Sequence, residues 1–283
     1  MFLKGHGQGG HSMSDVNYEY LHHYITKFPC WRRLRVLDYG CGSGDLVRFL
    51  RNRGVNCYGV DLREMIRFYD EFRCQLLQDQ IIKPLLPTGK IPFLMKFDIV
   101  VSNQVIEHVD NLKTLFENIR RVLKPDGIMH HHFPCSETIR EGHIGIPFAH
   151  WFPPGQIRYI YTYLIRSLGF GYHKAGQSNI ESWTRYKLDW IDAHCRYREF
   201  QEVKKVADWY GYHSVSMEMD YIKFRVKTRP ILNWLTGISA FQPIYEFLFR
   251  RLGFRVIDLY ALRASVPPAE LDALSLIPFD LPR

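Results

Sequence analysis

The chain has 283 residues, 46 % hydrophobic and 23 % charged, an ordinary globular composition that excludes disorder throughout. At that length about three quarters of the extended chain's surface can be buried, so one large domain, 1–283, is expected. Aromatics reach 15 % and net charge is +8, a balance that invites nucleic acid or an anionic membrane surface as partner without establishing either.

Residues Met1–Ser14 read as a loose leader. Val16–Phe28 has apolar residues near helical spacing and ends at Pro29. Leu34–Asp38 is a β-type run that stops in Gly40-Cys41-Gly42-Ser43-Gly44. Asp45–Arg53 reads as a helix with Gly54 as its stop, Cys57–Asp61 as a second strand and Arg63–Gln75 as a second helix. A third strand falls somewhere within Gln78–Leu86, among prolines. Phe97–Ser102 is a buried-strand run, Leu112–Leu123 a helix, Lys124–Gly127 a turn and Ile128–Phe133 a further strand. Strands alternating with helices mean βαβ units and a parallel sheet.

The second half is less regular. Gly142–Gly155 is a loop rich in His, Pro and aromatics. Gln156–Leu168 and Ser182–Trp209 read as helical, His213–Val226 as a strand, Pro230–Arg251 as one or two amphipathic helices, and Arg255–Arg263 as the last strand. The expected division is a core over 15–135 and a substrate-binding half with a helical cap over 136–283.

A Gly-rich loop between strand and helix lets a ligand approach the backbone and the helix N-terminus. A dinucleotide pattern begun at Gly40 would put its third glycine at Asp45, and the Gly-Lys-Ser/Thr ending of a phosphate-binding loop is absent. Asp38, before the glycines, repels a pyrophosphate and suits a ligand with ammonium and sulfonium centres. Asp61, at the end of the next strand, is placed to take two ribose hydroxyls. The pair indicates an adenosine-type ligand that is not a dinucleotide.

The run Val36-Leu37-Asp38-Tyr39-Gly40-Cys41-Gly42-Ser43-Gly44 resembles the first motif of class I S-adenosylmethionine-dependent methyltransferases. Gly59–Leu62 resembles their ribose-binding strand end, Phe97–Val109 their fourth strand and its loop, and Arg121–Gly127 the turn before their fifth strand. The four motifs occur in order across 34–133. The resemblance implies a doubly wound, seven-stranded mixed α/β sheet with helices on both faces, and S-adenosylmethionine as cofactor. It implies that Asp38 and Gly40 sit near the methionine moiety and that Gly42 and Gly44 let the cofactor approach. It also implies that Asp61 binds the ribose, Leu62 lies beside the adenine, and Asn103 and Gln104 line the reacting methyl. Glu107 and His108 either join the site or only cap the next helix. The family's adenine-contacting acid has no clear counterpart, since Asp79 falls before the third strand as readily as after it.

The electrophile of such a transfer is already activated, so a hydroxyl acceptor needs alignment and a base. His143 and His150, in the loop after the fifth strand, are the candidate bases; alternatively they only hydrogen-bond loop backbone. No metal site is expected: only His130 and His132 of His130-His131-His132 share a side of their strand, and no carboxylate pair stands at ligand spacing. Cys135 after Pro134 is read as packing, and Ser102-Asn103-Gln104-Val105 lacks the pattern of DNA amino-group enzymes. The expected acceptor is a small molecule, glycan or lipid-linked saccharide. RNA or protein is the alternative acceptor, and a non-catalytic cofactor-binding scaffold a further one. The longest apolar stretch, Ile231–Leu248, is broken by Asn233, Gln242, Pro243 and Glu246, so no spanning helix is expected. Trp234–Phe254 is read as a cap over the sheet, with a peripheral membrane contact as the alternative. Six cysteines without a Cys-x-x-Cys pair, and no signal-peptide core, point to a cytoplasmic protein with reduced thiols.

Overall fold

The computed structural model describes residues 13–66, 71–172 and 179–261. Residues 1–12 of the expected leader lie outside them, as do Leu262 and Arg263 of the last expected strand, while Met13 and Ser14 belong to the first helix. The first part comprises α1 (Met13–Thr26), β1 (Arg35–Tyr39), α2 (Asp45–Arg51), β2 (Asn56–Asp61), α3 (Glu71–Gln78) and β3 (Ile82–Pro84). It continues with β4 (Phe97–Asn103), α4 (Leu112–Val122) and β5 (Leu123–Phe133). Then come α5 (Gln156–Ser167), α6 (Ile180–His194), α7 (Phe200–Trp209), β6 (Tyr212–Ser216), α8 (Glu218–Val226), α9 (Pro230–Gly237), α10 (Gln242–Leu252) and β7 (Arg255–Ala261). The strands form one seven-stranded sheet in the order β3-β2-β1-β4-β5-β7-β6. Strands β1 to β5 pair in parallel, and β7 inserts antiparallel between β5 and β6. This is the mixed sheet the motifs implied.

Side chains alternate across the sheet with period two and divide the core. Leu37, Val100, Ile257 and Leu259 face one side, against Leu115, Phe116 and Ile119 of α4 and Val203 and Ala207 of α7. Val36, Ile99, Val101 and Val256 face the other, against Tyr20 and Leu21 of α1, Val47 and Leu50 of α2 and Tyr221 of α8. Helix α4 shows the local logic. Asn111 caps it by accepting from the backbone N–H of Lys113 (2.9 Å) and Thr114 (3.3 Å). Leu112, Leu115, Phe116, Ile119 and Val122 then recur at helical spacing and are buried, each stabilising by roughly 1.5–3 kcal/mol.

Four expectations are corrected. Lys124–Gly127 belongs to β5, where a register shift between Phe97 and Ile99 absorbs the Pro-Asp-Gly sequence as a bulge. Arg63–Met65 forms a turn, and the described part of the expected helix is α3, Glu71–Gln78. Ser182–Trp209 is two helices, because the chain is extended from Cys195 to Glu199. His213–Val226 is β6 followed by α8. Acids in the first turn of α8 and bases in its last suit the helix dipole, and Tyr221 is buried on α1. Asp79 lies in the turn before β3, its carboxylate taken by Gln75 at 2.7 Å. It therefore does not stand after the strand.

Candidate active site

The glycine loop, Asp61 and the Asn103–Gln104 pair converge at the carboxyl ends of β1, β2 and β4, where open α/β sheets bind ligands. The loop is tied to β2 by Gly40 and Cys41, whose N–H groups both donate to Val60 O, at 2.8 and 3.0 Å. Asp61 accepts from Gly42 N at 2.6 Å and from Leu62 N at 2.7 Å. The three glycines serve different ends. A Cβ on Gly40 would meet Val105 at 2.4 Å, and one on Gly44 would meet Ile82 at 2.3 Å. Gly42 faces open space. The Cβ direction of Gly42 is open; Gly44 is required for packing on β3 and starts α2 from a left-handed conformation.

Asp38 is buried, and no hydrogen bond or ion pair reaches its carboxylate among the described residues. Burial, with the negative charge of Asp61 adding to it, pushes its carboxyl up to about 8. Burial also raises Asp61, against the pull of its two backbone donors. Two acids held at such cost at strand ends suit a cationic ligand carrying hydroxyls. Leu62, half exposed beside Asp61, offers an apolar surface for a base. Gln104 has φ +60 with its N–H bonded to His132 O at 2.8 Å, and its buried Nε2 has no partner. A left-handed glutamine is a strained conformation. Asn103 Oδ1 accepts from Asn17 of α1 at 2.9 Å, and Asn17 is fixed in turn by the Tyr221 hydroxyl at 2.6 Å. These features fit S-adenosylmethionine: an acid for an ammonium, an acid for a ribose, and free amide donors beside them.

A second cluster lies beside the turn Ile106–His108 that follows β4. The loop after β5 doubles back, with Glu141 N bonded to Ile146 O and Phe148 N to Ile139 O. Ile144 and Ile146 anchor it against Trp183, Leu188 and Ile191 of α6. Glu141 is thereby buried, and its carboxylate accepts from Ile144 N (2.5 Å), His143 Nδ1 (2.9 Å) and the Tyr197 hydroxyl. Burial alone would raise this carboxyl, but these donors hold it below its usual value. His143 also contacts Tyr197 Oη at 2.8 Å and packs near His108 and Trp190, ring centroids 5.1 Å away in each case. His150 lies on the other side of Tyr197, 4.8 Å between centroids, its Nε2 3.4 Å from Thr138 Oγ1. Burial lowers its pKa and keeps it neutral. Glu107 is fully buried with neither carboxylate oxygen bonded; burial, reinforced by Glu141, lifts it to about 8. Among the described residues the His108 ring makes one hydrogen bond, Nδ1–H donating to His194 O at 2.8 Å, and its Nε2 approaches Glu107 at 3.9 Å.

The structure thus brings together both candidate histidines with partners the sequence did not single out. Glu141, Trp190, Cys195 and Tyr197 come from the loop and from the end of α6, and only folding unites them. Their signal was a buried-type acid two residues before His143. His108, His143 and Cys195 offer ligand atoms within 4.8 Å of one another. Cys195 Sγ lies 3.8 Å from His143 Nδ1, the nitrogen already engaged by Glu141 and Tyr197. The trio therefore reads as part of a hydrogen-bond network. The run His130–His132 is buried at the sheet centre, with His130 Nδ1 2.5 Å from Asp258 and the Nε2 atoms of His130 and His132 2.9 Å apart.

The sheet order, the antiparallel last insertion and the acid–glycine loop–acid constellation define a class I methyltransferase fold. Residues 14–212 match the family described as "Methyltransferase domain", and the chain belongs to that family, within the class I S-adenosylmethionine-dependent methyltransferases. It is 30 % identical over 106 residues to a malonyl-[acyl-carrier protein] O-methyltransferase of Enterobacter lignolyticus, covering 37 % of this chain and 41 % of that one. It is 30 % identical over 139 residues to the mitochondrial ubiquinone biosynthesis O-methyltransferase of Bos taurus, covering 41 % of this chain and 35 % of that one. The chain thus spans less than half the length of these curated relatives. Among solved structures, PKMT2 from Rickettsia typhi aligns with 89 % of this chain and 54 % of its own, at a TM-score of 0.49 and 17 % identity.

Proposed function

We propose that the protein transfers the methyl group of S-adenosylmethionine to a hydroxyl of a small molecule, glycan or lipid-linked saccharide, with His143 as proton acceptor. The observation that carries this reading is the 2.9 Å bond from His143 Nδ1 to buried Glu141. A carboxylate on Nδ1 keeps the proton there and leaves Nε2 to take one from an acceptor hydroxyl. Neutral His150 and the Tyr197 ring line the same loop and orient the acceptor.

The cofactor, when bound, supplies a sulfonium-activated methyl group. Asp38 holds the ammonium and Asp61 the ribose hydroxyls, with Leu62 beside the adenine. Gly42 opens the way to the backbone, and Asn103 and Gln104 stand near the methyl. Gly40 and Gly44 shape the loop without touching the ligand through a side-chain direction. Six free cysteines fit a reducing, cytoplasmic setting. Among the described residues no helix is long and apolar enough to cross a membrane.

Incubation with methyl-labelled S-adenosylmethionine and fractionated extract tests the reading. Label in a methyl ether of a low-mass or saccharide fraction, lost in His143→Ala, supports it. Label confined to RNA or protein, or cofactor binding with no transfer into any fraction, goes against it.

A further inference from the structure

The distal helices carry an apolar surface that the methyl-transfer chemistry does not use. On α10, Ile244, Phe247, Leu248 and Leu252 follow one another at helical spacing, and all four are exposed, Leu252 by 64 % and Phe247 by 57 %. The opposite side of the helix is the packed one: Phe249 lies on Tyr221 and Phe254. The cap expectation therefore accounts for only one side of α10. Helix α9 repeats the pattern with Ile231 and Trp234, 75 % and 67 % exposed. Large apolar side chains are rarely left together in water without a partner.

The neighbouring charge indicates what the partner is. Helix α8 packs against both α9 and α10. Lys223, Arg225, Lys227 and Arg229, on α8 and its exit, are exposed, and none has a carboxylate partner among the described residues. The acids of the region are already neutralised: Asp220 by Lys27 at 2.6 Å, Glu218 by Arg255 at 2.7 Å and Glu246 by Arg250 at 2.7 Å. On the sequence alone the basic residues are dispersed; the fold leaves this group of four without carboxylate partners among the described residues beside the apolar helices, with Lys227 Nζ 3.9 Å from the centre of the Phe224 ring. An aromatic and aliphatic stripe next to exposed cations without carboxylate partners is the pattern of an element lying in the interface of an anionic bilayer. We propose that α9 and α10 seat the protein on an anionic membrane surface, with Phe247, Leu248 and Trp234 entering the headgroup region and the α8 cations meeting lipid phosphates and carboxylates. The face leads to the acceptor loop, because Ile139 N donates to Arg251 O at 2.6 Å and Arg251 Nη1 to Glu137 O at 3.1 Å. The proposal does not depend on which acceptor is methylated.

Sedimentation of the full chain with vesicles tests it, comparing phosphatidylcholine alone with phosphatidylcholine containing roughly 30 % phosphatidylserine. Binding to the anionic vesicles is expected to exceed binding to the neutral ones by about 10-fold and to weaken with salt. Phe247→Glu/Leu248→Glu should lose at least about 10-fold, and Lys227→Gln/Arg229→Gln roughly 5-fold per charge. Absence of binding to anionic vesicles overturns the proposal. So does unchanged binding by a Phe247→Glu/Leu248→Glu variant that keeps its melting temperature and its affinity for S-adenosylmethionine. A dimer in light scattering that this variant turns to monomer would instead assign the face to a second copy of the chain.

Discussion

His143 and Glu141, separated by a single glycine, are joined through Nδ1 and a buried carboxylate at 2.9 Å. The loop that carries them turns at Gly145, φ +72, whose N–H donates to Glu141 O at 2.9 Å. Glu141→Gln keeps the size of the group but offers Nδ1 an amide that no longer selects one tautomer. Transfer is expected to fall by roughly 10²-fold or more, with S-adenosylmethionine affinity unchanged by calorimetry. His150→Ala should cost less, since no carboxylate bonds its ring among the described residues. Normal turnover in Glu141→Gln would remove the role given to the pair.

Asp38 predicts a pH dependence. Its folded value of about 8 lies above the roughly 3.9 of an unfolded aspartate. Between those values the folded state holds a proton that the unfolded state has shed, so this group's contribution to stability falls as pH rises from about 4 to 8. A bound ammonium favours the ionised carboxylate, so cofactor binding at pH 7 should release a proton. Calorimetry in buffers of different ionisation enthalpy reads that proton directly. Asp38→Asn should abolish measurable binding yet raise the melting temperature at pH 8 relative to wild type, by roughly 2–4 °C per kcal/mol recovered. A lower melting temperature at that pH would contradict the burial argument.

The two glycines flanking Ser43 should separate folding from binding. Gly44→Ala drives a methyl into Ile82 at φ +78, and a loss of about 2 kcal/mol or more in urea unfolding is expected. Gly42→Ala has φ +51 but empty space around it. Its stability should drop by only about 1 kcal/mol, while cofactor affinity falls by more. Equal stability losses for the two would show that the loop relaxes.

Asp258 faces His130 directly in the β5–β7 register and accepts from His130 Nδ1, the Tyr24 hydroxyl at 2.8 Å and the Tyr260 hydroxyl at 2.9 Å. Asp258→Ala leaves His130 and the Tyr24 hydroxyl buried without an acceptor and is expected to cost about 3–5 kcal/mol. Asp258→Asn, which keeps one acceptor oxygen, should cost less. Chemical denaturation ranks the two; a near-neutral Asp258→Ala would mean that water replaces the carboxylate.

The cofactor end was legible because it is local. Asp38, the glycines and Asp61 sit at the ends of consecutive strands, where spacing alone assigns them, and the hydrophobic period found most of the strands and helices that carry them. The errors fell where a local pattern had two readings. Met217, Met219 and Tyr221 alternate like a strand, but burial of Tyr221 on α1 makes Glu218–Val226 a helix. Lys124–Gly127 has turn chemistry, but pairing of Leu123 with Phe97 draws it into β5.

The order of residues along the chain was enough for the class of fold and the ligand class. These follow from acids, glycines and apolar periods whose geometry is set within one βαβ unit. The hydrogen-bond network around His143 was not readable there. His143 needs Glu141 from its own loop and Tyr197 from beyond α6, 54 positions away. The exposed side of α10 was equally hidden, because an amphipathic helix shows two faces in sequence and packing alone decides which side is covered. Contacts between distant segments are chosen by which buried groups satisfy one another, and that choice exists only in the folded chain.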